Sequence, residues 1–157
     1  MGSTNAAIAL GANLGDREET IDRAIGMIGA LTGTRVFDRS SLIETAPVGP
    51  IDQPEYLNAA VTVETSLDAR TLLAGLLGIE KTLGRDRERE QRWGPRAIDL
   101  DVVLFGDLII DEPNLTIPHA RMHERAFVLG PLAEIAPDWI HPRMARRVDE
   151  LLAALDV

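Results

Sequence analysis

A chain of 157 residues with 45 % hydrophobic and 4 % aromatic residues can bury one substantial core, and this composition excludes a fibrous or disordered protein. Its formal net charge of −9 argues against general binding to nucleic acid or to an anionic membrane surface, both of which need a basic face. The absence of cysteine removes disulfides, thiolate metal sites and a cysteine nucleophile, which fits a reducing compartment. The start MGSTNAAIAL has no basic segment followed by a long apolar one, and no apolar run nears the roughly 20 residues of a membrane helix. One soluble domain over residues 1–157, in the cytoplasm, is the expectation.

In chain order, Ala6 to Ala12 (AAIALGA) reads as a buried strand and Asn13 to Asp16 as a turn, GANLG being no more than that. Asp16 and Glu19 have the spacing of a capping pair, and a helix follows to about Thr32, with Ile21, Ile25, Ile28 and Leu31 on one face and Gly33 as its stop. Thr34 to Ile43 alternates as a strand. Thr45 to Pro54 (TAPVGPIDQP) is a stiff loop by its prolines. Leu57 to Thr65 is a strand, and Ser66 is placed to cap a helix over Leu67 to Leu83. An arginine-rich loop, Gly84 to Ala97, leads into Ile98 to Phe105. That strand and Leu108 to Ile110 read as a hairpin turning at Gly106-Asp107. Helices are expected over Glu124 to Ile135 and Arg146 to Leu155. The order strand, helix, strand, strand, helix, strand is the ferredoxin-like split βαβ arrangement, an α+β fold with a mostly antiparallel sheet.

Two features carry chemistry. Asp99 and Asp101 stand two apart in an apolar strand, so both project from one face with Val103, while Ile98, Leu100 and Val102 project from the other. Their backbone spacing of roughly 6–7 Å suits carboxylates converging on one or two hard cations, magnesium where phosphates complete the shell. A solvent-facing pair neutralised by arginine is the plainer alternative, although aspartate is depleted in strands and like charges on one face repel. The second feature is cationic. One of the sixteen basic side chains is a lysine, and five arginines (85, 87, 89, 92 and 96) fall between Gly84 and Ala97. Guanidinium groups match phosphate oxygens in a planar fork. Asp86, Glu88 and Glu90 alternate with them, so Arg87 and Arg89 read as solvated, whereas Arg85 and Arg96 at the loop ends are better placed. Neither a Walker-type phosphate loop nor a kinase catalytic loop is present, so phosphate chemistry here must rest on metal and arginine. His119, after a proline and near Arg121 and Arg125, suits a phosphate contact or a structural role equally.

The runs ALGANLGD, ETAPVGPIDQPEYLNAAV, RWGPRAIDLDVVLFG and LTIPHARMHERAFVLGPLAEIAP, in that order, resemble the 6-hydroxymethyl-7,8-dihydropterin pyrophosphokinase family nearly end to end. The resemblance implies a three-layer αβα form of the ferredoxin-like fold. It also implies transfer of pyrophosphate from ATP to 6-hydroxymethyl-7,8-dihydropterin in folate biosynthesis, by a monomer that binds no nucleic acid and no membrane. Asp99 and Asp101 would be ligands of two Mg²⁺ ions, with Arg85 and Arg96 as catalytic partners. Arg85, Arg96, Thr116, His119 and Arg125 would hold ATP. Thr45, Val48, Tyr56, Asn58, Trp93 and Phe127 would form the pterin site, and Glu80 matches a nearby family position. Val48 to Pro54 and Gly84 to Ala97 would act as lids. Ala120 departs from the tyrosine frequent in relatives, so one nucleotide contact is lost or replaced. The rival from another class is a non-catalytic module binding a small ligand or single-stranded RNA through the arginine loop, which predicts Mg²⁺-independent binding with a steep salt dependence.

Overall fold

The computed structural model describes residues 2–46, 49, 52–85 and 97–155. Four strands form the main sheet: β1 (Thr4–Ala12), β2 (Thr34–Arg39), β4 (Tyr56–Thr65) and β5 (Asp99–Phe105), in the order β2-β4-β1-β5, with the short β3 (Ile43–Thr45) also paired to β4. Every pairing is antiparallel. Because β4 lies between β1 and β2, helix α1 (Arg17–Gly29) must cross over it, and α2 (Ala69–Thr82) likewise links β4 to β5 across β1. This is the α+β split βαβ topology expected from the element order.

The sheet buries both faces, which its composition requires: β1 and β4 are apolar almost without alternation. Ile8, Leu10, Val61, Val63, Leu100 and Val102 pack under α1 and α2, where they meet Ile21, Ile28, Leu72 and Leu76. On the opposite face Ala7, Ala60, Val103 and Leu104 pack against α3 (Ala126–Ile135) and α4 (Val148–Ala154) through Leu129, Leu132, Val148 and Leu151. The layering is therefore αβα. The second helix layer covers only part of its face, so the far end of that face is left for polar side chains.

Local chemistry accounts for most element ends. Asp16 accepts from the Glu19 amide at the start of α1, as its spacing predicts. Five expectations need correction. Helix α1 stops at Gly29, not near Thr32, and Gly33 instead makes a left-handed turn (φ 63°) ahead of β2. The Thr34 to Ile43 strand is broken into β2 and β3, because Ser40 turns aside to bond the Ala60 amide through its hydroxyl. The cap of α2 is Asp68, which accepts from the Thr71 amide at 2.7 Å, while Ser66 is held under Gly33 by a bond from its amide to the Gly33 carbonyl. Leu108 to Ile110 does not pair with β5. The chain turns at Gly106 and then forms a separate ribbon of β6 (Ile110–Glu112) and β7 (Leu115–Ile117), because Pro113-Asn114, with Asn114 at φ 65°, supplies the tighter turn. The last helix is shorter than expected, since Ile140–His141 (β8) and Arg146–Arg147 (β9) form a second ribbon before α4 begins.

Thr62 on β4 is fully buried, and its hydroxyl has no hydrogen-bond partner among the described residues. An unpaired buried hydroxyl costs free energy that an isosteric methyl does not. Thr62→Val should therefore stabilise the fold by about 1 kcal/mol, raising the melting midpoint by about 2–4 °C. A lower midpoint in calorimetry would show that the hydroxyl is satisfied in solution.

Candidate active site

Strand register builds the site. Ile43 on β3 faces Asn58 on β4, Asn58 faces Gly11 on β1, and Gly11 faces Asp99 on β5. One rung deeper, Ala60 faces Ala9 and Ala9 faces Asp101. These rungs belong to the face shared with α3, since Ala60 and Val103 pack there while the alternating Leu100 and Val102 point into the α1/α2 core. The alternation read from the sequence is thus the one adopted. Past Val103 the register shifts by one residue between Ala7 and Ile8, a bulge that sends Phe105 back to the other core.

Gly11 is a site residue that the sequence reading passed over as part of a tight turn. It lies inside β1, and a Cβ there would come within 3.0 Å of Asn58 Oδ1 and 3.5 Å of Tyr56 Cδ1. Any side chain would fill the floor on which Tyr56 and Asn58 rest. The available signal was a glycine inside a strand, which marks a close approach.

Strand β5 is an edge, so its outward amides need partners from elsewhere. Glu80, 2 % exposed in the last turn of α2, supplies one: its Oε2 accepts from the Leu100 amide at 2.8 Å. The same oxygen accepts from Arg85 Nη1 at 3.0 Å, and that nitrogen also donates to Asp99 Oδ1 at 2.9 Å. Arg85 therefore bridges Glu80 and Asp99 from a buried position. Asp101 lies two residues further along β5, on the same face as Asp99. Burial first, then the charges of Asp99 and Glu80, push its carboxyl up to about 7, against the opposing pull of Arg125 and Arg85. The strand presents an acidic pair of which one member is already countered by a guanidinium and the other is short of positive charge.

The remaining predicted residues fall in three groups. Thr45 and Asn58 are joined by a bond from the Asn58 amide to the Thr45 hydroxyl, and Thr45 faces Tyr56 in the β3–β4 ladder. Arg125 and Phe127 stand at the start of α3, with the guanidinium stacked 5.5 Å from the ring centroid. His119 follows the cis Ile117-Pro118 bond, and its amide bonds the Val103 carbonyl on β5. Burial and then Arg125 hold its pKa below the ordinary histidine range, so its ring is neutral near pH 7, with Asp99 acting in the opposite sense. Thr116, on β7 opposite Asp111, is half-buried and makes no hydrogen bond to the acidic pair among the described residues. Val48, Trp93 and Arg96, with Arg87, Arg89, Arg92, part of the Val48 to Pro54 lid and most of the Gly84 to Ala97 lid, lie outside the described residues.

The fold and site together define an α+β domain, an antiparallel sheet with helices on both faces that carries two carboxylates near Arg85 and Arg125 at one end. The family model of 7,8-dihydro-6-hydroxymethylpterin-pyrophosphokinase matches residues 7–137. The chain belongs to that family. It is 44 % identical over 147 residues to the 2-amino-4-hydroxy-6-hydroxymethyldihydropteridine pyrophosphokinase of Pseudomonas aeruginosa, covering 94 % of this chain and 89 % of the relative. The enzyme of that name from Bacillus subtilis is 48 % identical over 130 residues, which is 83 % of this chain and 77 % of the relative. Among solved structures, wild-type Plasmodium falciparum HPPK-DHPS superposes with a TM-score of 0.74 at 15 % identity over 97 % of this chain, a likeness of fold. The chain spans only 44 % of that larger protein.

Proposed function

We propose that this chain transfers the pyrophosphoryl group of ATP to the hydroxymethyl oxygen of 6-hydroxymethyl-7,8-dihydropterin, releasing AMP, as a step of folate biosynthesis. Residues 1–157 act as one pyrophosphokinase domain. The observation that carries this reading is the continuous rung Asn58–Gly11–Asp99, which sets Asn58 one strand across β1 from the carboxylate pair on one face of the sheet.

The donor set suits Mg²⁺. Two oxygen anions from one strand, with no group of three or more acids or imidazoles placed to hold a metal among the described residues, would leave the rest of an octahedral shell to phosphate and water. Burial and the charges of Asp99 and Glu80 raise the Asp101 carboxyl, and a divalent ion there would act in the opposite sense. Asp99 and Asp101 would hold the metal, two ions in this reading. When bound, these ions neutralise the phosphate oxygens and acidify the attacking hydroxyl.

The chain's own side chains supply alignment. Asn58, fixed by Thr45, offers its amide to the edge of the pterin, and Tyr56 and Phe127 offer ring faces. Arg125, stacked on Phe127, and neutral His119 would hold the phosphates together with Arg96, and Trp93 would close over the pterin. Arg85 combines two roles. Buried between Glu80 and Asp99, it acts first by fixing the Asp99 carboxylate, and only then through its charge on the phosphates. Displacement in line at the β-phosphorus then needs mainly positioning and charge neutralisation, which this set provides.

The test is a product assay. Protein incubated with ATP, Mg²⁺ and the pterin alcohol should release AMP in proportion to pterin consumed. Release of ADP would make the chain an ordinary kinase, and pterin-independent hydrolysis would remove the pterin from the assignment.

A further inference from the structure

We propose that Arg17 is a positioning residue for the pterin pocket, its guanidinium fork clasping together the two strands that carry Thr45, Tyr56 and Asn58. The inference rests on the pterin reading of that pocket.

Arg17 is the first residue of α1, directly after the Asp16 cap. A cation there opposes the positive end of the helix dipole, whereas Glu18 and Glu19 in the same turn complement it. The helix gains nothing from Arg17, so its placement calls for a tertiary cause. Its two terminal nitrogens provide one. Nη1 donates to the Glu55 carbonyl and Nη2 to Glu44 Oε1, both at 2.9 Å. Glu44 is the middle residue of β3, and Glu55 directly precedes Tyr56, the first residue of β4. In the ladder Thr45 faces Tyr56 and Ile43 faces Asn58, so the fork grips both strands within one residue of the Thr45–Tyr56 rung.

The clasp matters because β3 is weak on its own. It is three residues long and, among the described residues, pairs with β4 alone. The turn before α1 adds a second hold: Asn13 Nδ2 donates to Gln53 Oε1 at 2.8 Å and to the Pro54 carbonyl at 3.1 Å. Residues 53, 54 and 55 are thereby tied in succession to the β1–α1 turn. The Arg17–Glu44 pair is too exposed to add much global stability. Its effect is to remove freedom from the pocket wall before the ligand arrives, which lowers the ordering cost of binding. Lysine cannot replace it fully, since a single ammonium lacks the planar fork that spans a carbonyl and a carboxylate.

Three forms of the full chain are compared: wild type, Arg17→Ala and Arg17→Lys. Steady-state kinetics should show KM for the pterin rising about tenfold in the alanine variant and about threefold in the lysine variant, with kcat and the KM for ATP within about twofold. Amide exchange in the ligand-free protein should speed up at Thr45, Tyr56 and Leu57 in Arg17→Ala. Unchanged pterin KM with unchanged exchange overturns the proposal. So does an equal rise in the KM for ATP, or a loss of melting temperature shared by both variants, since each marks a general structural role. If the wild type itself does not turn over the pterin, the reaction assignment fails, and faster exchange at those three amides still establishes the clasp.

Discussion

Asp101→Asn should reduce pyrophosphoryl transfer by about 10³-fold or more at saturating Mg²⁺, while its melting midpoint stays level or rises. The two halves of this expectation have one cause. In the folded chain Asp101 is half-buried on the same strand as Asp99 and close enough to Glu80 for both charges to add to the effect of burial in raising its pKa. A carboxylate so placed weakens the fold when ionised, and a neutral amide of the same shape removes that repulsion. A residue kept at such a cost is kept for what it binds. Asp99→Asn should lose turnover as well, but with a lower midpoint, because it takes a partner from buried Arg85. Thermal melts run beside the product assay separate the two. Near-normal turnover in Asp101→Asn would remove the carboxylate pair from the reaction centre.

The largest effect on stability is expected at Glu80. Its carboxylate meets the guanidinium of Arg85 and the edge amide of Leu100, with 2 % of the residue exposed. Glu80→Ala leaves a buried cation with one fewer acid and an amide with no acceptor. Loss of one partner from such a pair costs about 3–5 kcal/mol, or about 6–20 °C in melting midpoint for a chain of this size. Turnover should fall with it, because Arg85 loses the contact that aims it at Asp99. Glu80→Gln keeps both acceptor geometry and volume and should recover more than half of the lost stability. A midpoint for Glu80→Ala within about 2 °C of wild type would mean that the triad is already solvated.

Much of this site is legible in the chain. Asp99 and Asp101 declare themselves by breaking the apolar run of β5, and two-residue periodicity assigns them a face. Arg85 stands out by its place at the end of a cluster, yet its partner Glu80 is reached only through the family resemblance, since nothing local marks it as buried. Gly11 is hidden for a related reason. Its neighbours Tyr56 and Asn58 lie more than forty positions away and reach it only through pairing. Arg17 is visible as a cation at the wrong end of a helix, but both groups it holds come from other strands.

Periodicity, caps and turn residues are short-range, so they determined which segments become strands and helices, and which side chains alternate to each face. Asp16 at the head of α1 and the alternation through β5 are of that kind. Register, edge position and the meeting of elements are long-range, and only folding decided them. The placing of Ser66 under Gly33, the turn at Pro113-Asn114 in preference to a β5 hairpin, and the reach of Glu80 to an unpaired edge amide all depend on neighbours remote in sequence. A local pattern can say that a side chain will be covered, but the free energy of what covers it is settled between distant parts of the chain.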